Sequence, residues 1–510
     1  MNPVDARSLK AFAKLTETTP VGVNLHGPTE AFGALIVSGL LPVVQRKWVT
    51  GINTLLDVTV DHDGGTVTAD SSELHLSTST TTSSIAQYTS QQVITYRPGQ
   101  AVVCRFTGRF TAGVASTTQL LGLGNGEDGL CFGYNGTSFG VLRRQGGQVE
   151  TQTLTITAAA TGAGNVTVTL NGTAVVTALA GTETIGEVAA KIAASDYQTA
   201  GGGWHAYYAG DRVVFVAIQS DTRGGSYSYV DTDTTGATGS IAQTKAAVNA
   251  TDTWVAQTSW NGDKADGTST LPTLDPTKGN VYEIQYPWLG YGGIVFLVKD
   301  PDTSRFVEVH RIKYENANTT PSLSNPDLSL FAEADNLATS SDLDIYVGSM
   351  GGFKAGEVER KLGPRFSESN SKNFSTTRTN IVAMRVKNVF GSRTNKQKVI
   401  IDGFTLGNNG GKTCEYHLTK NPDLVGAPSW TDVDATNSAV EYDVATTAIV
   451  AGTGRRLFTT MVGAASGKTR DLTDQQVIEL DPGDIVVFSG VLASGGAADI
   501  LAGCTWVEST

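Results

Sequence analysis

Charge is scarce in this sequence. Asp, Glu, Lys and Arg supply 17% of its 510 residues, against roughly 25% in soluble domains. Thr, Ser, Gly, Ala and Asn fill the deficit, and small hydroxyl residues suit strand exteriors and tight turns. A surface so poor in charge fits a protein packed among copies of itself, and equally a secreted β-protein. What charge there is leans acidic, with a formal net of −12. Phosphate backbones are gripped by clustered Lys and Arg, and the only adjacent arginine pairs are Arg143-Arg144 and Arg455-Arg456. Nucleic acid is therefore not expected as a partner.

Cysteine is scarcer still. Four in the whole chain do not make a disulfide framework. Cys104 and Cys131 sit in strand-like runs and are expected to be buried thiols. Cys414 and Cys504 share the C-terminal module and are expected to stay reduced in a cytoplasm. Long apolar runs are missing too. The greasiest stretch, Ala31 to Val44, is broken by Gly33, Gly39 and Pro42 and falls short of the ~20 residues that span a bilayer. Residues 1–30 carry no signal-peptide core, so the expectation is cytoplasmic synthesis and no membrane. Long internal repeats are also lacking, which argues against a β-helical polysaccharide-cleaving tailspike.

What the chain has in abundance is alternation. From Tyr282 onward the run YEIQYPWLGYGGIVFLVKDPDTSRFVEVHRI places apolar and aromatic residues at every second position, the pattern of half-buried strands. Turn chemistry interrupts it at Gly290 to Gly293 and at Asp300-Pro301-Asp302. The pairs Asp63-Gly64, Asp128-Gly129, Asn135-Gly136 and Asn171-Gly172 read as hairpin turns. Asp481-Pro482-Gly483-Asp484 has Pro to fix φ and Gly to accept a positive φ. One stretch, Thr184 to Ser195, is helical instead. Thr184 and Glu187 form a capping box, and Ile185, Val188, Ala189 and Ile192 share a face.

These patterns predict a mainly β chain. It has two antiparallel β-sandwich domains of jelly-roll or lectin-like type and a small α+β insertion. Residues 1–45 read as an N-terminal docking arm with a short helix, and 46–147 plus 254–366 as the first sandwich. Residues 148–253 read as the insertion, entered at a Gly-rich junction that tolerates one. Residues 367–384 read as a polar linker and 385–510 as the C-terminal sandwich.

Chemical motifs are present only as near misses. Gly124 to Gly129 spells GxGxxG, but a strand follows where a dinucleotide site needs a helix. Gly463 to Thr469 is one residue short of a phosphate-binding loop. Asp231, Asp233 and Gly236 open like a calcium loop, but Thr235 and Ala242 stand where ligands belong. His62 and His75 flank a turn without a third metal ligand. Glu283 and Glu308 lie in strands and pose as a hydrolase pair, with ordinary exposed strand positions as the competing reading. No catalytic residue, metal or cofactor is expected. Trp260, Trp288 and Tyr291 are the candidates for glycan stacking, against core packing or an interface.

Three blocks, in order, carry a resemblance. They are AFGALIVSGLLPVVQRKWVTGINTLL at 31–56 with the strands that follow it; the run from Tyr282 to Pro326; and NPDLVGAPSWTDVDATNSAVEYD at 421–443 with the closing IELDPGDIVVFSG and TWVES. Together they resemble virion surface and structural proteins of tailed phages and large DNA viruses: fibres, baseplate parts or head decorations. The insertion looks like a module recurring in phage tail and baseplate proteins. The resemblance implies a non-enzymatic structural component of a tailed-phage virion, assembling symmetrically with copies of itself, as a trimer by analogy with phage fibres, and with other virion proteins. It brings no catalytic residues. The alternative is a carbohydrate-binding adhesin that recognises host surface glycans.

Overall fold

Strands that are apolar on one side need a second layer to cover that side, and the chain supplies the layers in pairs. The structure, a computed structural model, describes residues 40–198, 203–355, 363–374, 376–391, 393–425, 428–472 and 478–509. Two large antiparallel sheets form the first sandwich. The eight-stranded sheet runs Phe306–Ile312, Ile294–Lys299, Asn280–Tyr286, Val102–Phe110, Asp344–Ala355, Glu73–Ser77, Thr66–Asp70, with Leu40–Lys47 added along the far half of Asp344–Ala355. The seven-stranded sheet runs Thr251–Ala256, Ser138–Gln145, Gly129–Asn135, Thr118–Gly124, Leu328–Asp335, Ile85–Ile94, Asp57–His62. Their facing sides share one core. Phe132 lies 4.8 Å from Tyr282 and 5.4 Å from Phe296 between ring centroids, with Phe106, Leu121, Leu123, Ile284 and Leu330 packed around them. Aromatic pairs at these spacings add to what burial alone contributes.

A second pair of sheets closes the C-terminal part. Arg365–Phe374, Ala498–Ser509, Lys398–Asn408 and Ser466–Asp471 lie side by side, and Ile478–Leu480 also pairs with Lys398–Asn408. Opposite them is a six-stranded sheet with Thr379–Val386, Ile485–Leu492 and Cys414–Lys420 at its centre. Phe404 and Phe488 meet across the gap at 5.9 Å, beside buried Trp506, Cys414 and Cys504. All four cysteines are buried free thiols, and burial pushes the pKa of each of them up.

Between Gln145 and Thr251 the chain builds a third apolar core of its own. It lies among a four-stranded sheet, a three-stranded sheet and the one α-helix among the described residues, α1 (Ile185–Ala193). The helix starts where the capping box requires: the Thr184 hydroxyl accepts from Glu187 N, and the Glu187 carboxylate accepts from Thr184 N at 2.8 Å. This unit touches both sandwiches. Lys245 reaches Glu127 at 3.2 Å on the first. On the second, Arg385 donates to the Ala209 carbonyl at 2.6 Å, pairs with Glu441 at 2.6 Å and lies 4.2 Å over the Trp430 ring. The Tyr208 hydroxyl accepts from Leu424 N at 2.9 Å. The backbones approach closely there: a Cβ added at Gly186 would stand 2.4 Å from the Leu424 carbonyl oxygen.

Three expectations need correction. The Ser- and Asn-rich stretch 367–384 is not a linker, because it lies within the strands Arg365–Phe374 and Thr379–Val386. Its small polar residues sit on an edge strand that pairs in full register with Ala498–Ser509, where backbone bonds need no apolar signal. The docking arm does not run to residue 45, because Leu40–Lys47 is a sheet strand; the helix expected upstream lies outside the described residues. Asp63-Gly64 does turn the chain, with φ of 47° and 84°, but it joins strands of two different sheets rather than a paired hairpin.

Close strand contact makes one glycine critical. Gly133 lies in the strand Gly129–Asn135, and a Cβ there would sit 1.8 Å from the Gln119 carbonyl oxygen. Gly133→Ala is expected to lower stability by at least about 3 kcal/mol, read from urea unfolding, whereas Gly99→Ala, with nothing within 4 Å but a φ of 88°, should cost about 1 kcal/mol.

Candidate functional site

The three aromatic candidates separate by burial. Trp260 is 2% exposed and packs edge-on against Phe132 at 6.2 Å. That corrects its reading as a glycan-stacking residue, since its faces are covered by the first core. Trp288 and Tyr291 belong to the turn after Asn280–Tyr286, where Leu289 and Gly290 take φ of 42° and 81°. Trp288 is half-buried, with its ring edge-on to Tyr96 at 5.6 Å and its Nε1 donating to the Leu323 carbonyl at 3.2 Å. Tyr291 is 39% exposed, and its hydroxyl donates to the Thr319 carbonyl at 3.0 Å.

These contacts tie the turn to the loop after Phe306–Ile312. Tyr314 lies 6.3 Å from Tyr291, and the Arg143 guanidinium stacks on Tyr314 at 5.2 Å. The Glu315 carboxylate accepts from Gly293 N at 2.7 Å. Deeper, Asp128 accepts from Ser324 N, Asn325 N and Gly146 N at 2.8 to 3.2 Å, though burial still raises its pKa. Asp327 accepts from Tyr96 N at 2.6 Å, and burial pushes its pKa up to about 6. The result is a braced loop pair that presents Leu289 and the rim of Tyr291 to solvent. It offers an apolar and aromatic contact surface.

The other candidates are occupied by structural duties. Glu283 and Glu308 stand in register across Leu297, two strands apart, about 10 Å by sheet spacing. Each already has an arginine: Arg105 for Glu283 and Arg311, at 2.6 Å, for Glu308. The Asp231 carboxylate accepts from Thr235 N and Gly236 N, both at 2.8 Å, and Asp233 accepts from Asn165 N at 3.0 Å; these donors fill the positions a calcium ion would take. His62 and His75 do not face each other. His62 is buried in one sheet against the Gln198 carbonyl; His75 is in the other, 2.7 Å from Asp344 and stacked on Tyr346 at 4.3 Å. Gly124 to Gly129 is a strand-to-strand turn held by Asn125, and Gly463 to Thr469 leads into the strand Ser466–Asp471. Arg144 is mostly buried rather than a strand-end surface charge: it pairs with Asp252 at 2.9 Å and reaches the buried Glu333 at 4.0 Å. Among the described residues no group of three or more His, Cys, Asp or Glu is placed to hold a metal ion.

Sequence reasoning missed the cationic side chains Arg97, Lys354 and Lys398, which the fold brings to one cleft. Arg97 lies far along the chain from the two lysines, the lysines belong to different sandwiches, and alternation assigns a lysine to solvent. In the fold Lys354 and Lys398 are buried, and Arg97 is half-buried beside them.

No protein-family model matches this sequence, and no curated protein does. Among solved structures, a legume lectin-like domain from Entamoeba histolytica aligns at 10% identity and a TM-score of 0.23, covering 62% of this chain and 100% of its own. The Faustovirus major capsid protein aligns at 9% identity and a TM-score of 0.15, over 99% of this chain and 96% of its own. Scores this low carry no argument about fold or function, and the sandwich architecture stands on the sheets themselves.

The bracing separates the two exposed-turn aromatics energetically. Trp288→Ala is expected to cost about 2 to 3 kcal/mol, since it empties a half-buried site and orphans the Leu323 carbonyl. Tyr291→Ala should cost under about 1 kcal/mol. Denaturant midpoints of the two variants measure the difference, and equal losses would contradict this picture of the turn.

Proposed function

We propose that this chain is a non-enzymatic structural component of a tailed-phage virion, a fibre, baseplate or head-decorating protein that acts by symmetric assembly with its own copies. The support from the sequence is the ordered set of three blocks resembling such proteins. The structural observation that carries the reading is the loop after the edge strand Leu40–Lys47. There Val49 and Leu55 are 63% and 56% exposed, with Leu56 beside them. The loop is held rigid: Arg46 pairs with Asp57 at 2.7 Å and donates to the Leu56 carbonyl at 3.1 Å. A preorganised loop displaying three apolar side chains is costly in water and favourable against a neighbour.

The strand beside it pairs only with Asp344–Ala355 among the described residues. Pro42 and a register shift between Pro42 and Val44 interrupt its ladder, a device that blocks indiscriminate strand addition. Contact between copies is therefore made by side chains of the loop. Closed cyclic assembly, with a trimer as the specific expectation, multiplies each such contact. The chain turns over no substrate in this role and resides in the virion.

A second reading is favoured by one observation, the exposed rim of Tyr291. It makes the chain a glycan-binding adhesin. Sedimentation and virion incorporation test the first reading. The wild-type chain is expected to sediment as a closed oligomer and to enter particles, and Val49→Asp with Leu55→Asp to remain folded but monomeric. A wild-type monomer that never enters particles contradicts it. Tyr291→Ala separates the two readings: unchanged particle yield with lost host adsorption favours the adhesin.

A further inference from the structure

The cleft where the two sandwiches meet has a volume of about 230 Å³. The first sandwich lines it with Gln92, Thr95, Arg97 and Lys354, and the second with Lys398 and Glu479. Lys354 ends the strand Asp344–Ala355, in register with Leu41 on one side and Val102 on the other. It is 3% exposed, and its ammonium forms no ion pair or hydrogen bond with the described residues. Its buried stem carries the ammonium to the cleft wall, where it meets water rather than being sealed without a partner.

The surrounding carboxylates offset this charge in part. Asp327 is engaged by Tyr96 N, and burial pushes its pKa up to about 6 despite Lys354, Lys396 and Lys398 nearby, so at pH 7 it is largely ionised and offsets part of their charge. Glu479 is committed to Lys398 at 3.3 Å, and Asp484 to Lys420 at 2.5 Å. Burial raises Asp481 as well. The ammonium of Lys354 is left facing Arg97 and Lys398, whose charges add to burial in bringing its pKa down to about 8. Three cations from two sandwiches thus converge on an aqueous cleft, with Asp327 and Glu479 as the nearby carboxylates. Its volume holds a tetrahedral oxyanion and several waters, each of which occupies about 30 Å³ in the liquid. Gln92 and Thr95 add neutral polar groups to the wall.

We propose that this cleft binds a phosphate or sulfate group, with Lys354, Arg97 and Lys398 as its cationic ligands, and that the bound group ties the first sandwich to the C-terminal one. The proposal is independent of the virion reading.

The test uses the full chain at pH 7, titrated with sodium phosphate against sodium chloride of equal ionic strength, with thermal unfolding and isothermal calorimetry as readouts. A saturable rise of roughly 2 to 5 °C is expected with phosphate alone. Lys354→Met, which keeps the buried stem, is expected to abolish the rise, and Lys299→Met, on a strand remote from the cleft, to leave it intact. If Lys354→Met does not fold, Lys398→Met takes its place and is expected to weaken phosphate binding at least tenfold by calorimetry. Glucose 6-phosphate identifies the source of the group: tighter binding than inorganic phosphate points to a sugar-borne ligand, weaker binding to the free ion, and either supports the site. A phosphate response no larger than that of chloride overturns the proposal, as does a folded lysine variant that binds like the wild type.

Discussion

Each large sheet has one broad apolar face, and covering that face is the constraint from which the rest follows; the outer faces of two sheets carry only smaller apolar clusters, around Phe331 on one and Val487 on the other. The aromatic cluster of Phe106, Phe132, Tyr282 and Phe296 shows how it is met in the first sandwich. Its rings come from both sheets and from chain segments on either side of the central unit, so neither segment could bury its own apolar face. Phe404, Phe488 and Trp506 do the same in the second sandwich. Close strand approach at Gly133 is the counterpart of that packing, since the sheet leaves no room for a side chain there.

The second level of organisation is polar. Where loops and units meet, buried carboxylates and one arginine gather backbone groups that would otherwise be orphaned. Asp128 takes three backbone N–H groups from two separate loops. Arg385 spends its guanidinium on a carbonyl of the neighbouring unit, a glutamate and a tryptophan face. Such groups are individually modest in net stabilisation but costly to leave unsatisfied, which makes them determinants of how the units sit together. The cleft at Lys354 differs from these junctions in gathering three cationic side chains, Arg97, Lys354 and Lys398, around one opening.

Local chemistry in the sequence was legible wherever one short segment decides the outcome. Asn171 and Gly172 take φ of 49° and 88° at the turn they predict. Gly483 takes 93° in the Asp481 turn, and Thr184 caps α1. The mainly β, two-sandwich class follows from alternation and is the fold observed. Legibility failed where partners are distant. Nothing local distinguishes Trp260 in a core from Trp288 at a turn, or tells that Asp63-Gly64 carries the chain from one sheet to another. An edge strand made of Ser, Asn and Lys, such as Arg365–Phe374, reads as linker because its stability comes from the neighbouring strand's backbone. The site suffers most from this limit, because Arg97, Lys354 and Lys398 become neighbours only after two sandwiches have formed.

On the proposed function, the apolar surface left over after folding at Val49, Leu55 and Leu56 is reserved for copies of the same chain. An image-averaged reconstruction of the purified protein at assembly concentration tests it most directly. The expected result is a closed symmetric oligomer in which Val49, Leu55 and Leu56 lie within about 4.5 Å of a neighbouring copy. Single chains, or an assembly in which that loop faces solvent, would contradict it.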